Sequence, residues 1–502
     1  MRAAHAILSR MKRGRQPAPC WAAILAAAVA VLISACATSG RRVNALRFAH
    51  TYRCSADPQA ATTVPGWTIV AGSPTLRCAG SLPAVWPGRA APRVVIASGP
   101  WGASTLERMI PLRTGAAAHR RLTLSAWFAA SGREPVRGVL RAEFLDVAGH
   151  RLGSPLVLRG PAATVRQGPV RFEPRRLAGE IPRGAVALNL HLDLGGRAAG
   201  AASYVAELRA QTRPPMRFPA PAPPAAHVPR FDHVFVIMME NTDFGQVIGD
   251  RKDAPYINSL ASRGALLANY QAVYHPSDEN YLAIAGGDVF VRGAVYFPNI
   301  HIAARHLGDL LEAAGKTWRA YEEGMGTPCN TSTRYDKNYE PDDAPFILFD
   351  DIQREPARCR AHLVDIGEWP RDLRRSATTP AFAWLAADDY DDGELPGNGS
   401  PRSLQVQDAW LRQTLAPLFD APAWRAQRSL LILTWDESSA TANNHIATIV
   451  VGSRGTVKPG YVSRVRYDHY STARTIEAAL GLPAMTSNDE FARAFDDVFA
   501  GR

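Results

Sequence analysis

The chain has 502 residues, of which 46% are hydrophobic, 21% charged and 8% aromatic, so it can bury one or two full cores and is neither a disordered tail nor a fibre. Its net charge of +11 is uneven: residues 1–35 carry five cations and no anion, residues 41–220 carry 25 Arg and nine acids, and residues 221–502 carry 27 basic and 37 acidic side chains. Because the larger part is acidic and would repel a phosphate backbone, this distribution excludes a uniformly basic nucleic-acid binder.

The N-terminus predicts an export signal. Several cations precede an apolar run from Cys20 to Ala35, which is too short to cross a bilayer comfortably. The run ends in Leu-Ile-Ser-Ala-Cys, which resembles the bacterial lipobox, in which the signal is cut before the Cys and the thiol is acylated. We therefore predict a signal peptide at residues 1–35 and a lipid anchor on Cys36, and with them an exported lipoprotein of the bacterial cell envelope. An ordinary cleaved signal is the alternative.

Four further Cys remain for the folded protein. Cys54 and Cys78 flank one loop, and Cys329 and Cys359 lie near each other further along the chain. The even count and local spacing predict two disulfides in an oxidising compartment. A zinc site is the alternative, but no Cys-x-x-Cys pair supports it.

Residues 41–212 are predicted to form an antiparallel β-sandwich, because they contain runs of alternating apolar and polar residues that are separated by Gly and Pro. The clearest alternating runs are residues 66–70, 121–128, 139–146 and 185–192. The pattern resembles galactose-binding-like, jelly-roll accessory domains. The excess of Arg in residues 41–220 reflects either codon bias or a basic surface that contacts anionic lipid or glycan, and the sequence leaves both explanations open. A Pro-rich linker is predicted at residues 213–229.

Residues 230–502 predict an α/β domain with a mostly parallel sheet. Two near-continuous apolar strands, residues 231–239 and 429–435, end in Glu240-Asn241 and Asp436-Glu437. The carboxyl ends of parallel strands meet at one edge of a sheet, so these side chains should lie close together. Their carboxylate and amide oxygens suit a divalent cation. Salt-bridged strand ends are the alternative.

Ser277 lies at the predicted start of a helix over residues 278–284, between two other predicted helices at residues 254–264 and 471–480. It is either only the helix N-cap or a nucleophile on which a phosphoryl group would be stabilised by free N–H groups. We expect its hydroxyl to lie within about 8 Å of the acidic strand ends, since a shared cation requires that proximity.

Several motifs together resemble those of the phosphoesterase family that joins bacterial acid phosphatases and phospholipases C. They are Glu240-Asn241-x-x-Phe244, Ala254-Pro255-Tyr256-Ile257-Asn258-Ser259-Leu260, His275-Pro276-Ser277-x-x-Asn280-Tyr281, Trp435-Asp436-Glu437, Asn444-His445-Ile446, Val457-Lys458-Pro459-Gly460 and Asp468-His469-Tyr470-Ser471. The His-Pro-Ser-x-x-Asn-Tyr version is similar to the acid phosphatase branch, including phosphatidylinositol-3-phosphatase-like enzymes. The resemblance implies an alkaline phosphatase-like fold and a metal-dependent phosphomonoesterase, with a phospholipase C-type phosphodiesterase as the alternative.

The resemblance also implies residue roles. It implies that Ser277 forms a phosphoserine and that Asn280 holds phosphate oxygens. It implies that His445 and His469 bind phosphate or protonate the leaving oxygen. The implied metal ligands are Glu240, Asn241, Asp436 and Glu437.

Two departures from the family pattern concern the metal. Asp343 and Asp391 stand where the family usually has His. Asp343 lies shortly before residues 346–349, which the resemblance implies to be an apolar strand. Asp389 is then a further predicted metal ligand, and the oxygen-rich set favours Mg²⁺ or Ca²⁺ over Zn²⁺. A poorly active surface-binding lipoprotein is the remaining alternative.

Overall fold

The computed structural model describes residues 64, 66–87, 94–99, 102–112, 121–132, 135–162, 169–197, 201–213, 223–291, 297–332, 338–439 and 444–501. All of them belong to one compact unit. The predicted signal peptide, Cys36, Cys54 and most of the predicted linker lie outside the described residues, so these predictions stay predictions.

The first part of the chain forms two antiparallel sheets that fit the predicted β-sandwich. One sheet has the strand order β1-β5-β11-β7-β8, and the other has the order β10-β6-β13-β4-β2, with β12 beside β13; β3 and β9 pair separately. The strands are β1 (Thr68–Ala71), β2 (Thr75–Cys78), β3 (Ala84–Val85), β4 (Val94–Ala97), β5 (Ser104–Pro111), β6 (Arg121–Ser131), β7 (Gly138–Leu145), β8 (Arg151–Arg159), β9 (Val170–Arg171), β10 (Glu173–Glu180), β11 (Ala187–Leu194), β12 (Gly196–Arg197) and β13 (Ala201–Arg213). Alternate burial along β5 and β6 shows one face packed inward, as period-two patterning predicts.

The rest of the chain builds an eight-stranded mixed sheet of order β18-β17-β19-β14-β20-β22-β15-β23 and a small sheet β21-β16-β24. Its strands are β14 (His233–Met239), β15 (Ala265–Leu267), β16 (Tyr270–Gln271), β17 (Trp318–Glu322), β18 (Leu363–Asp365), β19 (Phe382–Ala386), β20 (Ser429–Trp435), β21 (His445–Ile446), β22 (Thr448–Gly452), β23 (Tyr461–Ser463) and β24 (Tyr467–Asp468). The run from β18 to β20 is parallel, and β22 is antiparallel to β20 and β15. The sheet is therefore mixed, with the predicted parallel strands at its centre.

Helices connect and cover these strands. They are α1 (Phe244–Val247), α2 (Pro255–Arg263), α3 (Asp278–Gly286), α4 (Leu307–Ala313), α5 (Asp350–Gln353), α6 (Pro356–His362), α7 (Trp369–Asp372), α8 (Pro401–Asp420), α9 (Pro422–Ala426), α10 (His469–Leu480) and α11 (Ser487–Glu490). Among the described residues, no helix combines the length and apolar character that crossing a membrane requires.

The central strands β14 and β20 are buried along their whole length, because both faces of the sheet are covered. Their parallel register sets Met239 beside Trp435, so their polar ends emerge at the same level of the sheet. The hydrophobic sequence of these two strands thus positions the residues that follow them.

Two local predictions need correction. Residues 346–349, predicted as an apolar strand, mostly form a 3-10 helix over Pro345–Leu348, because Pro345 occupies its first turn and favours a helical φ. The last long helix begins at His469 rather than Ser471, because the Asp468 side chain caps it by accepting from the Ser471 N–H.

A disulfide joins Cys329 to Cys359, with Cα atoms 5.4 Å apart. This confirms the prediction of a disulfide in the second half of the chain, and both thiols are thereby unavailable to zinc. Cys78 is also disulfide-bonded.

Candidate active site

The acidic ends of β14 and β20 form one hydrogen-bonded unit. The Asn241 N–H donates to Asp436 Oδ1 at 2.8 Å, and the Thr242 N–H donates to the Glu437 carbonyl at 3.2 Å. Asn241 has a φ of 46°, a left-handed conformation that Asn tolerates better than most residues. The structure therefore brings Glu240, Asn241, Asp436 and Glu437 together at one edge of the sheet.

Ser277 points at this unit. Its Oγ donates to Glu240 Oε2 at 3.2 Å, well inside the separation of about 8 Å expected from the sequence. Ser277 occupies the N-cap position of α3, but its φ and ψ of −60° and −53° are helical and its side chain makes no capping hydrogen bond. The interpretation of Ser277 as only an N-cap is therefore wrong, because the hydroxyl is directed to the carboxylate instead.

Asn280 holds the loop that carries Ser277. Its Oδ1 accepts the backbone N–H groups of Val273 and Tyr274, both at 3.0 Å, and its Nδ2 donates to the Tyr274 and Pro276 carbonyls at 3.2 and 3.3 Å. All its polar atoms are thus engaged with backbone. The predicted contact of Asn280 with phosphate stays a prediction.

Glu240 receives three hydrogen bonds. Besides Ser277, the Asn241 Nδ2 donates to Oε2 at 2.6 Å and the Tyr281 hydroxyl donates to Oε1 at 2.6 Å. Such donors favour an ionised carboxylate, whereas burial, followed by repulsion from Asp436 and Asp392, raises the pKa of Glu240 well above its usual value. A bound cation would favour the ionised carboxylate and so counteract the effects of burial and of the neighbouring acids.

The carboxylates around Glu240 fit a cation. Carboxylate oxygens of Glu240, Asp343 and Asp392 all lie within 4.8 Å of one another. Asp343 Oδ2 and Asp436 Oδ2 are buried without a hydrogen-bond partner among the described residues. Burial also raises the pKa of Asp343 and Asp392 well above the usual range, with repulsion from neighbouring acids adding to it. A hard divalent cation held by oxygen ligands suits this set.

The acids of the 388–393 segment separate into two places. Asp392 lies beside Glu240, whereas Asp391 groups with Glu323 and Asp388. Asp389 is not in the Glu240 group of described residues; burial, followed by repulsion from Glu340, raises its pKa to about 8. Its role as a metal ligand stays a prediction.

The predicted histidines flank the strand ends. His469 is fully buried, its Nε2 donates to the Trp435 carbonyl at 3.0 Å, and its Nδ1 has no partner among the described residues. Burial lowers its pKa to about 4. His445 is half-buried, stacks on Phe244 with ring centroids 4.5 Å apart, and contacts the Ala268 carbonyl through Nε2 at 3.1 Å. Burial lowers its pKa as well.

A further histidine adjoins the site. His275 Nδ1 lies 2.6 Å from Glu437 Oε2. Burial of the Glu437 side chain, followed by repulsion from Asp436, raises its pKa to about 10, and burial lowers the pKa of His275 to about 4. The pair is held close at the edge of the acidic cluster.

The sequence did not predict the contact of Tyr281 with Glu240, or that Asp343 and Asp392 lie beside Glu240. Tyr281 is the last residue of the His-Pro-Ser-x-x-Asn-Tyr motif, and a Tyr four residues after Ser277 lies on the same face of α3. Asp392 is one of four acids in a run of five residues, and the sequence offers no means of choosing among them.

A serine hydroxyl beside clustered carboxylates at the strand ends of an α/β sheet is an arrangement that fits a hydrolase. Residues 250–483 match the Phosphoesterase family. The phosphatidylinositol-3-phosphatase of Mycobacterium tuberculosis is 31% identical over 52% of this chain and 80% of its own length. The probable acid phosphatase of Kluyveromyces lactis is 28% identical over 53% of this chain and 62% of its own length.

Among solved structures, an alkaline phosphatase superfamily protein from Vibrio parahaemolyticus matches 56% of this chain and 73% of its own, with 12% identity and a TM-score of 0.41. The chain belongs to the Phosphoesterase family. This confirms the predicted family and, with it, the class of hydrolases acting on phosphoric ester bonds.

Proposed function

We propose that the chain is a metal-dependent phosphomonoesterase in which Ser277 is the nucleophile. The observation that carries the proposal is the Ser277 hydroxyl, which donates at 3.2 Å to a buried Glu240 carboxylate instead of capping its helix. The names of the relatives, acid phosphatase and phosphatidylinositol-3-phosphatase, support a phosphate monoester as substrate.

The metal would be held by Glu240, Asp343, Asp392 and Asp436, with Asn241 and Glu437 beside them. When bound, a divalent cation supplies positive charge that lowers the pKa of a nearby hydroxyl and offsets charge on phosphate. Mg²⁺ or Ca²⁺ is favoured over Zn²⁺, because the donors are carboxylate oxygens.

The residues of the chain divide the remaining work. Glu240 Oε2 takes the Ser277 proton as Oγ bonds to phosphorus and the ester oxygen leaves, taking a proton from the surroundings. Water then attacks phosphorus, the bond to Oγ breaks and phosphate departs as Ser277 regains its proton. Tyr281 and Asn241 keep Glu240 oriented through both steps.

His469 serves best as a neutral hydrogen-bonding group. Its Nε2–H is committed to the Trp435 carbonyl, and a pKa of about 4 leaves it uncharged in mildly acidic solution. We therefore disfavour His469 as the proton donor to the leaving oxygen. Phosphate binding remains the proposed role of both His469 and His445.

Export and anchoring remain part of the proposal. The sequence of residues 1–36 supports a lipoprotein of the cell envelope, and the basic residues 41–220 support contact with anionic lipid or glycan. Binding of the purified protein to anionic vesicles should weaken as salt rises, and salt-independent binding would contradict an electrostatic contact.

Ser277→Ala tests the chemistry, with Ser259→Ala on the exposed side of α2 as the matched control. Hydrolysis of p-nitrophenyl phosphate should be abolished in the first variant and retained in the second, with both proteins folded. Activity retained by Ser277→Ala would remove Ser277 from the mechanism. Release of a phosphorylated headgroup from phosphatidylcholine, with p-nitrophenyl phosphate untouched, would establish the phospholipase C alternative instead.

A further inference from the structure

The nucleophile loop, residues 272–277, joins β16 to α3 and carries the candidate nucleophile at its end. It begins beside the segment that leads into β21, because β16 and β21 pair antiparallel with Gln271 opposite His445. The Ala272 N–H extends this pairing by donating to the Asn444 carbonyl at 2.9 Å. Asn444 therefore lies directly beside the start of the nucleophile loop.

The Asn444 amide bridges this loop to the acidic end of β20. Its Nδ2 donates to the Tyr274 carbonyl at 2.8 Å, and its Oδ1 accepts the Ser438 N–H at 3.0 Å. Ser438 directly follows Glu437 in the chain. Asn444 is 0% exposed, so both hydrogen bonds are shielded from water. One side chain thus sets the spacing between the nucleophile loop and the acidic strand end.

The backbone of Asn444 suits this bridge. Its φ of 45° lies in the left-handed region, which Gly, Asn and Asp adopt more readily than other residues. Among these three, only Asn carries both a hydrogen-bond donor and an acceptor on its side chain at neutral pH. Glycine would meet the backbone requirement alone, so the two side-chain hydrogen bonds are what asparagine adds at this position.

A second buried amide converges on the same carbonyl. Asn280 Nδ2 donates to the Tyr274 carbonyl at 3.2 Å, and its Oδ1 accepts the Tyr274 N–H at 3.0 Å. Asn280 fixes the nucleophile loop to α3, whereas Asn444 fixes it to the end of β20. The two amides meet at Tyr274, three residues before Ser277. The position of Ser277 relative to the acidic strand ends therefore depends on both.

We propose that Asn444 is a positioning residue, which holds the Ser277 hydroxyl where it can attack phosphorus beside the acidic strand ends. This role rests on the proposed phosphomonoesterase function. A displacement of about 1 Å can cost about 100-fold in rate, so a small movement of the nucleophile loop would slow the chemical step. Asp436 keeps its own hydrogen bond from the Asn241 N–H, so metal binding should be little affected.

Two variants remove the bridge by different means. Asn444→Gly keeps the left-handed backbone and removes both side-chain hydrogen bonds. Asn444→Asp keeps an acceptor for the Ser438 N–H but sets a carboxylate oxygen against the Tyr274 carbonyl. Asn258→Ala is the matched control, because the Asn258 amide likewise bridges backbone groups, those of residues 247–254, outside the nucleophile loop and the strand ends.

The readouts are kcat and KM for p-nitrophenyl phosphate, the Mg²⁺ dissociation constant from calorimetry, and urea unfolding. Both Asn444 variants should lose about 10–100-fold in kcat, the range typical of lost supporting groups. Their KM and Mg²⁺ dissociation constant should stay within about threefold of wild type, because only the chemical step is disturbed. Asn258→Ala should lose stability while its kcat stays within about twofold of wild type.

A kcat within about twofold of wild type in either folded Asn444 variant would overturn the positioning role and leave the proposed function intact. An equal loss of kcat in Asn258→Ala would also overturn it, because activity would then follow stability. Weaker Mg²⁺ binding with unchanged kcat would overturn it by placing the effect on the metal ligands. If Asn444→Gly does not fold, Asn444→Asp decides alone. A wild-type protein that hydrolyses no phosphate monoester would instead overturn the proposed function.

Discussion

Tyr281→Phe removes one hydroxyl from the candidate active site and leaves the fold intact. That hydroxyl donates to Glu240 Oε1 at 2.6 Å, and both side chains are buried. A hydrogen bond to a charged group contributes about 1.5–3 kcal/mol, so the free energy of unfolding should fall by about that amount. Loss of a partner that orients a metal ligand typically costs about 10–100-fold in metal affinity or activity, and we expect both to fall within that range.

Tyr321→Phe is the matched control. The Tyr321 hydroxyl donates to Asp372 Oδ2 at 2.8 Å, and this buried pair lies outside the acidic cluster. Its loss removes the same chemical group from beside a buried carboxylate. We expect a similar loss of unfolding free energy with unchanged metal affinity and unchanged kcat/KM.

The assay combines urea unfolding, titration of the metal-free protein with Mg²⁺ by calorimetry, and p-nitrophenyl phosphate kinetics. If Tyr281→Phe binds metal and turns over substrate within twofold of wild type while losing stability, Tyr281 does not orient a ligand. If both tyrosine variants lose activity equally, the effect is one of stability alone.

Three further predictions concern the acids and the disulfide. Asp343→Asn should weaken Mg²⁺ binding at least tenfold in calorimetry, because it removes a buried carboxylate charge beside Glu240; equal affinity would exclude Asp343 as a ligand. Burial, followed by a hydrogen bond with Asp489, raises the pKa of Glu477 to about 10, so the folded state holds a proton that the unfolded state releases near pH 4.5. The free energy of unfolding should therefore fall as pH rises from about 4.5 toward 10, by at most about 1.4 kcal/mol per pH unit. Glu477→Gln should remove this fall when urea unfolding is compared at pH 5 and pH 8. Parallel pH profiles of the variant and the wild type would refute the prediction. Cys359→Ser should lower the free energy of unfolding by about 3.5 kcal/mol, the loop-closure value for its 30-residue separation from Cys329, and an unchanged value would show that the loop is held by its other contacts.

Sequence patterns predicted the strands of the central sheet because these strands are continuous apolar runs. The predicted strand over residues 429–435 matches β20, and the one over residues 231–239 contains β14. Parallel strands place their carboxyl ends on one edge, so the proximity of Glu240 to Asp436 followed from topology alone.

The rest of the site depends on contacts that no local pattern encodes. Asp343 and Asp392 lie about 100 and 150 residues after Glu240 along the chain, so only folding brings the three side chains together. The Phe346–Phe349 prediction failed because an apolar run of this length fits a strand or a buried helical turn equally well.

Trapping of the covalent intermediate would show whether Ser277 is the nucleophile. The metal-loaded protein would be mixed with p-nitrophenyl phosphate, quenched in acid within the first turnover and mapped by peptide mass spectrometry. We expect phosphate on Ser277 in wild type and none in Ser277→Ala. Phosphate on another residue, or rapid turnover with no phosphorylated peptide at any quench time, would contradict it.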